Sequence, residues 1–270
     1  MAGQPEITNM ALFCDFENVA LGVRDAQYPP FDIARVLERL LLKGSIVVKK
    51  AYCDWERYKE FKATMHEAAF ELIEIPHVRQ SGKNSADIRL VVDALDLCYT
   101  KAHVDCFVII SGDSDFSPLV SKLRENDKYV IGIGVKDSTS DLLRTNCDEF
   151  IYYDDLVRAQ EVKKKRTVKK APAKAVTTKT AATRSEEEKR QDALDFLVET
   201  LEALLAERGG EEKVWGSMVK QTMKRVRPGF DEAYYGYRSF RDLVEAAEKN
   251  GLLVIVRDEK SGQYTLRLPA

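Results

Sequence analysis

The sequence predicts an α/β fold, a parallel sheet flanked by helices, over roughly the first 155 residues, and a smaller α+β unit after it. Three observations predict this. Short β-branched runs such as Phe107-Val108-Ile109-Ile110 alternate with stretches whose apolar residues recur every three or four positions. Each run stops at a cluster of small or polar residues. A basic stretch without apolar period then separates a second region, whose helical period returns and is followed by two short strands.

The elements follow in order. Asn9 to Cys14 is a first strand, ended by Asp15-Phe16-Glu17-Asn18, and a loop with Tyr28-Pro29-Pro30 follows. Ile33, Val36, Leu37, Leu40 and Leu41 mark a helix that Gly44 ends. Ser45 to Tyr52 is a strand, Arg57 to Phe70 a helix, and Leu72 to Ile75 a strand stopped by Pro76. Ser85 to Tyr99 reads as a helix with Ile88, Val91, Val92 and Leu95 inward. Cys106 to Ile110 is a buried strand. It stops at Ser111-Gly112-Asp113-Ser114-Asp115, and Ser117-Pro118 then opens a helix through Glu125. Tyr129 to Gly134 and Glu149 to Tyr152 complete the strands, with a Ser/Asp-rich segment between them. Strands alternating with helices imply right-handed crossovers and a parallel sheet.

In such sheets ligands bind outside the carboxyl ends of the strands. Asp15 ends the first strand, Asp87 lies in the first turn of the helix after the third, and Asp113 and Asp115 follow the fourth. All four belong to one edge. If Asp113 and Asp115 stay extended they share a face, about 6–7 Å apart. Asp15 directly follows an apolar run, and a buried carboxylate needs a partner. Carboxylates converging without a cation repel; Mg²⁺ or Mn²⁺ resolves that, because hard cations take oxygen ligands.

The motifs Leu12-Phe13-Cys14-Asp15-Phe16-Glu17-Asn18, Lys83-Asn84-Ser85-Ala86-Asp87-Ile88 and Ser111-Gly112-Asp113-Ser114-Asp115-Phe116 resemble, in this order, the NYN domain of the PIN-like nucleases, its LabA-like branch included. The resemblance covers residues 7–156. It implies a metal-dependent endoribonuclease, with Asp15, Asp87, Asp113 and Asp115 as the metal cluster and Asn18 as the motif asparagine. Asp93 matches a further acidic position, but six residues from Asp87 fits one helical face poorly. The implied chemistry is phosphodiester hydrolysis by a metal-activated water. Competing chemistries lack their residues. His66, His77 and His103 are dispersed, and Asp15-Phe16-Glu17 is not the Asp-x-Asp that a haloacid-dehalogenase phosphatase places after its first strand.

Residues 158–184 hold ten Lys or Arg and one acidic residue, and residues 157–188 read as a flexible basic tether. From Glu186, Ala193, Leu194, Leu197, Val198, Leu201, Leu204 and Leu205 mark a helix, stopped by Gly209-Gly210. Val214 to Val226 and Tyr237 to Asn250 are helices, and Leu252 to Val256 and Gln263 to Leu268 form a hairpin around Glu259-Lys260-Ser261-Gly262. Helices followed by a hairpin suggest a winged helix. Val214 to Asp231 and Tyr235-Gly236-Tyr237-Arg238-Ser239-Phe240 resemble the OST-HTH, or LOTUS, domain over residues 189–268, which implies RNA binding. Lys220, Lys224, Arg225 and Arg238 are the phosphate-contact candidates, Tyr235 and Tyr237 the base-stacking candidates. Lys83 is a local phosphate contact beside the acidic edge. Trp215, Phe230 and Phe240 are expected in the core.

The five cysteines show no CxxC spacing, so reduced thiols in a cytoplasmic protein are expected. No signal-peptide layout opens the sequence, and no apolar run approaches the roughly 20 residues that span a membrane. The expected partner is RNA, with a protein partner on the C-terminal domain as a second route. The alternative function is a non-catalytic RNA-binding adaptor that uses the NYN fold as a scaffold.

Overall fold

The computed structural model describes residues 7–76, 85–160, 186–208, 213–257 and 263–269. Lys83, most of the basic tether, the Gly209-Gly210 stop and the Glu259–Gly262 turn lie outside the described residues. The chain divides into two compact units, residues 1–172 and 173–270.

In the first unit β1 (Asn9–Asp15), β2 (Ser45–Cys53), β3 (Glu71–Glu74), β4 (Cys106–Ile110), β5 (Tyr129–Gly134) and β6 (Glu149–Tyr152) form one sheet in the order β3-β2-β1-β4-β5-β6. Every neighbouring pair is parallel. The helices are α1 (Phe16–Asp25), α2 (Ile33–Leu41), α3 (Lys59–Glu67), α4 (Ser85–Thr100), α5 (Ser117–Glu125), α6 (Asp141–Asn146) and α7, described over residues 153–160. Alternate residues of β1 feed opposite cores. Met10, Leu12 and Cys14 pack with Phe16, Val19 and Val36 on one face. Ala11 and Phe13 pack with Leu90, Ala94, Leu119 and Leu123 on the other. All five residues of β4 are buried, as a strand covered on both faces requires. The chain builds outward from β1 to β3, then crosses back to β4 and builds the other way. The strand order therefore reverses between β1 and β4, which makes their carboxyl ends a topological switch point.

Some expectations are corrected. The segment after Asp15 is helix α1, not loop: Asp15 caps it, and Phe16, Val19 and Val23 bury one side. The inner face of α4 is Leu90, Ala94 and Cys98, whereas Ile88 and Val92 point outward, 62% and 56% exposed. The helix after β2 is shorter than expected, because the chain turns through a positive φ at Ala69. The Ser/Asp-rich segment contains α6, capped by Ser140.

The second unit holds α8 (Glu186–Glu207), β7 (Val214–Trp215), α9 (Gly216–Val226), α10 (Phe240–Lys249), β8 (Val254–Arg257) and β9 (Tyr264–Arg267). Its sheet is antiparallel in the order β7-β9-β8. Leu197, Leu201, Val219, Met223, Leu243 and Leu266 form its core, and Phe230 and Phe240 join it as expected. Trp215 does not; it is half-buried on the short strand β7. Residues 214 and 215 are strand rather than helix because they pair with Leu266 and Thr265.

Candidate metal centre

Asp15 occupies the end of β1 and is 7% exposed. Ser111 Oγ donates to its Oδ2 at 2.9 Å, and the Asn18 backbone N–H donates to its Oδ1 at 3.4 Å. Burial, and then the neighbouring charge of Asp87, push the Asp15 carboxyl up from 3.8 to about 7; the two hydrogen bonds only partly offset this.

The turn after β4 is locked to this corner. Asn18 Oδ1 accepts the Gly112 N–H at 2.9 Å, so α1 and the β4 turn hold one another. Gly112 itself leaves no room for a side chain, since a Cβ there would lie 2.5 Å from the Ser138 carbonyl oxygen. Ser111 Oγ also accepts the Asp113 N–H at 3.2 Å. Asp113 Oδ1 accepts the Asp115 N–H at 3.0 Å and caps a 3₁₀ turn over Ser114–Phe116. Asp113 is extended but Asp115 is not, so the two carboxylates do not share one extended face. The 3₁₀ turn also moves the α5 cap to Phe116 and leaves Pro118 in the first turn.

Asp87 opens α4 at the same sheet edge. Burial raises its carboxyl to about 6, with repulsion from Asp113, Asp115 and Glu17 adding to it. Asp15 thus senses Asp87 and Asp113, and Asp87 senses Asp113 and Asp115, across the switch point. Among the described residues, no Lys, Arg or His forms an ion pair with any of the four. Glu17 is the residue sequence reasoning passed over; its position two after Asp15, in the first turn of a capped helix, was the available signal. Its own charge is met by Arg57 at 3.1 Å.

Asp93 takes no part. Lys50 Nζ at 3.3 Å, Arg89 Nε at 3.1 Å and the Tyr52 hydroxyl at 2.9 Å surround its carboxylate.

The four-carboxylate donor set is all oxygen and carries uncompensated negative charge, which fits a hard divalent cation. No three His, Cys, Asp or Glu side chains among the described residues stand ready in a metal-holding cage.

The NYN domain family model matches residues 9–154, which contain the whole sheet and all four carboxylates. The chain belongs to the NYN domain family. NYN domains are PIN-like and of nuclease type. A protein of unknown function from Vibrio parahaemolyticus is similar in structure, at 26% identity and a TM-score of 0.50, covering 57% of this chain and 98% of its own. The Aeropyrum pernix Orc1 protein in complex with DNA aligns at 12% identity over 99% of this chain and 84% of its own, with a TM-score of 0.20, too low to inform the fold. No curated protein matches the chain.

Beyond the NYN domain, the C-terminal candidates separate into exposed and buried. Lys224 and Arg238 are exposed. Lys220 is half-exposed, 3.5 Å from Glu232 and over the Phe240 ring. Arg225 is half-buried, donates to Thr222 Oγ1 at 2.9 Å, and burial lowers its pKa. Tyr235 is half-exposed and stacks on Phe230 at 5.0 Å. Tyr237 is a correction. It is 7% exposed within the core, and its hydroxyl donates to the Arg190 carbonyl, so its ring has no free face for a base. Tyr234, which sequence reasoning did not single out, is the exposed aromatic of this segment, with Lys189 Nζ over its ring.

Proposed function

We propose that the protein is a divalent-metal-dependent endoribonuclease whose NYN domain hydrolyses RNA phosphodiester bonds and whose C-terminal unit holds the RNA. One observation supports the catalytic half: Asp15, Asp87, Asp113 and Asp115 belong to one sheet edge, no basic side chain among the described residues pairs with them, and burial and repulsion drive the most buried, Asp15, up to about 7. Mg²⁺ or Mn²⁺ bound there supplies a Lewis acid and a water of lowered pKa. Asp15, Asp87, Asp113 and Asp115 hold it. Asn18 and Ser111 act through Asp15, fixing its orientation while tying it to the β4 turn.

The C-terminal unit is read as an OST-HTH, or LOTUS, winged helix. The order of three helices with a small antiparallel sheet supports this. Lys220, Lys224, Arg225 and Arg238 are proposed phosphate contacts, with Tyr235 and Tyr234 as stacking faces. Residues 7–156, 157–188 and 189–268 are the proposed nuclease domain, basic tether and RNA-binding domain, and Lys83 the phosphate contact nearest the acids. The five cysteines are all free thiols, which supports a reducing, cytoplasmic setting. No helix of the described residues is long and apolar enough to cross a membrane.

The test is cleavage of labelled RNA by purified protein with Mg²⁺ or Mn²⁺, with chelator and Asp115→Asn as controls. Metal-dependent cleavage that Asp115→Asn loses is the expected result. A second reading, a non-catalytic RNA-binding adaptor, is favoured by the lack of a ready-made metal cage among the described residues. RNA binding without cleavage in either metal would establish it.

A further inference from the structure

Helix α4 has two apolar faces, and the domain covers one. Leu90, Ala94 and Cys98 are buried on the sheet side. Away from it Ile88, Val92 and Tyr99 are 62%, 56% and 64% exposed, and Leu95, between Val92 and Tyr99, is half-buried at the border, with one side packed on the core. Their spacing of four, three and four residues is that of a helix–helix seam. A helix apolar on both faces is ordinarily buried on both. We propose that this seam docks on the same seam of a second copy of the chain, antiparallel about a two-fold axis.

Charge selects both partner and direction. Arg89 follows Ile88 and Asp96 follows Leu95, so the two sit seven residues apart on one edge of the seam. Both are exposed. Arg89 engages Asp93 through Nε, and the Asp96 carboxylate has no ion-pair partner among the described residues. When two α4 helices run antiparallel with Val92 opposite the other copy's Leu95, each Arg89 lies beside the other copy's Asp96. The pairing occurs twice, as two-fold symmetry demands. A parallel pairing would put the two copies' Arg89–Asp96 edges on opposite sides of the seam, where neither charge meets its opposite. The seam is therefore complementary to itself in one direction only.

The arrangement leaves the acidic crevice open. Asp87 precedes Ile88 at one end of α4. The antiparallel pairing puts the two copies' Asp87 residues at opposite ends of the helix pair, about 20 Å apart along its axis. One helix pair is a small contact beside the roughly 1,200–2,000 Å² of a standard interface, so the dimer is weak and concentration-dependent.

Sedimentation of the full chain across a concentration series tests this without reference to nuclease activity, so its failure and the failure of the catalytic reading are separate. Wild type is expected to show a reversible monomer–dimer equilibrium. Val92→Asp buries a charge in each half of the seam and is expected to weaken the dimer by about a hundredfold or more. Arg89→Glu makes the seam edge all acidic, and Asp96→Arg makes it all basic. Each alone is expected to weaken self-association by about tenfold. Mixed together, they should form a heterodimer at about wild-type strength. Thermal melts check that each variant is folded. A monomeric wild type at the highest concentration, a dimer insensitive to Val92→Asp, or a mixture no tighter than its components overturns the proposal.

Discussion

Two carboxylates on α4, Asp87 and Asp93, sit six residues apart and are treated in opposite ways. Asp93 is met by Lys50, Arg89 and the Tyr52 hydroxyl, and its side chain is 12% exposed. Asp87 has burial, Asp113, Asp115 and Glu17 against it, which raise its pKa to about 6. The same fold therefore compensates a buried charge fully in one place and leaves charges unpaired in another. Uncompensated carboxylates cost stability, so a site that gathers four of them is shaped for something other than folding.

The largest expected effect separates the two regions by activity. Asp87→Asn, Asp113→Asn and Asp115→Asn should each lower single-turnover cleavage of RNA by roughly a thousandfold. Asp93→Asn should stay within a few-fold of wild type. Equal losses at Asp87 and Asp93 would erase the distinction.

Stability should divide the other way. Asp93→Ala strands the Tyr52 hydroxyl and the Lys50 ammonium near the sheet, at a cost of about 2–4 kcal/mol in denaturant unfolding. Asp15→Asn should instead stabilise the metal-free protein by on the order of 1–2 kcal/mol at pH 8, since it removes a buried charge.

The pH dependence sharpens this. Asp15 titrates near 7 in the folded chain against 3.8 ordinarily. Between those values the folded state holds more protons than the unfolded one. Stability of the metal-free protein should thus fall as pH rises from about 4 to about 7, then level off. Asp15→Asn should flatten that slope, and a thermal melt series across pH reads it directly. An unchanged slope would mean that Asp15 is not the titrating group.

The smallest effects are expected in the C-terminal unit, where the proposed phosphate contacts Lys224 and Arg238 are exposed charges that would act only electrostatically. Lys224→Ala or Arg238→Ala should weaken RNA binding modestly. Each should reduce the slope of log affinity against log salt by about one. Tyr237→Phe should leave RNA affinity unchanged, because that ring is buried.

Much of this was legible in the residues. The parallel sheet, and with it the edge to which Asp15, Asp87, Asp113 and Asp115 belong, followed from alternating apolar runs, which reflect burial on both sheet faces; the strand order did not. Helix α1 was not, because its buried side, Phe16, Val19, Gly22 and Val23, is short and broken by a glycine, and Tyr28-Pro29-Pro30 follows it closely. The facing of α4 was misread because apolar residues line both its sides, so periodicity alone cannot say which side the sheet takes. Partners distant in sequence were invisible: Lys50 for Asp93, and Ser111 for Asp15. Tyr237 looked like Tyr235 in sequence, and only packing against α8 distinguishes them.

The central claim is that the uncompensated crevice holds a divalent cation. Calorimetric titration of Mn²⁺ into the full chain at pH 8 tests it, with Asp87→Asn and Asp93→Asn in parallel. The expected result is saturable binding in wild type and Asp93→Asn, lost or weakened at least tenfold in Asp87→Asn. Binding of equal strength in all three, or none in wild type, would contradict it.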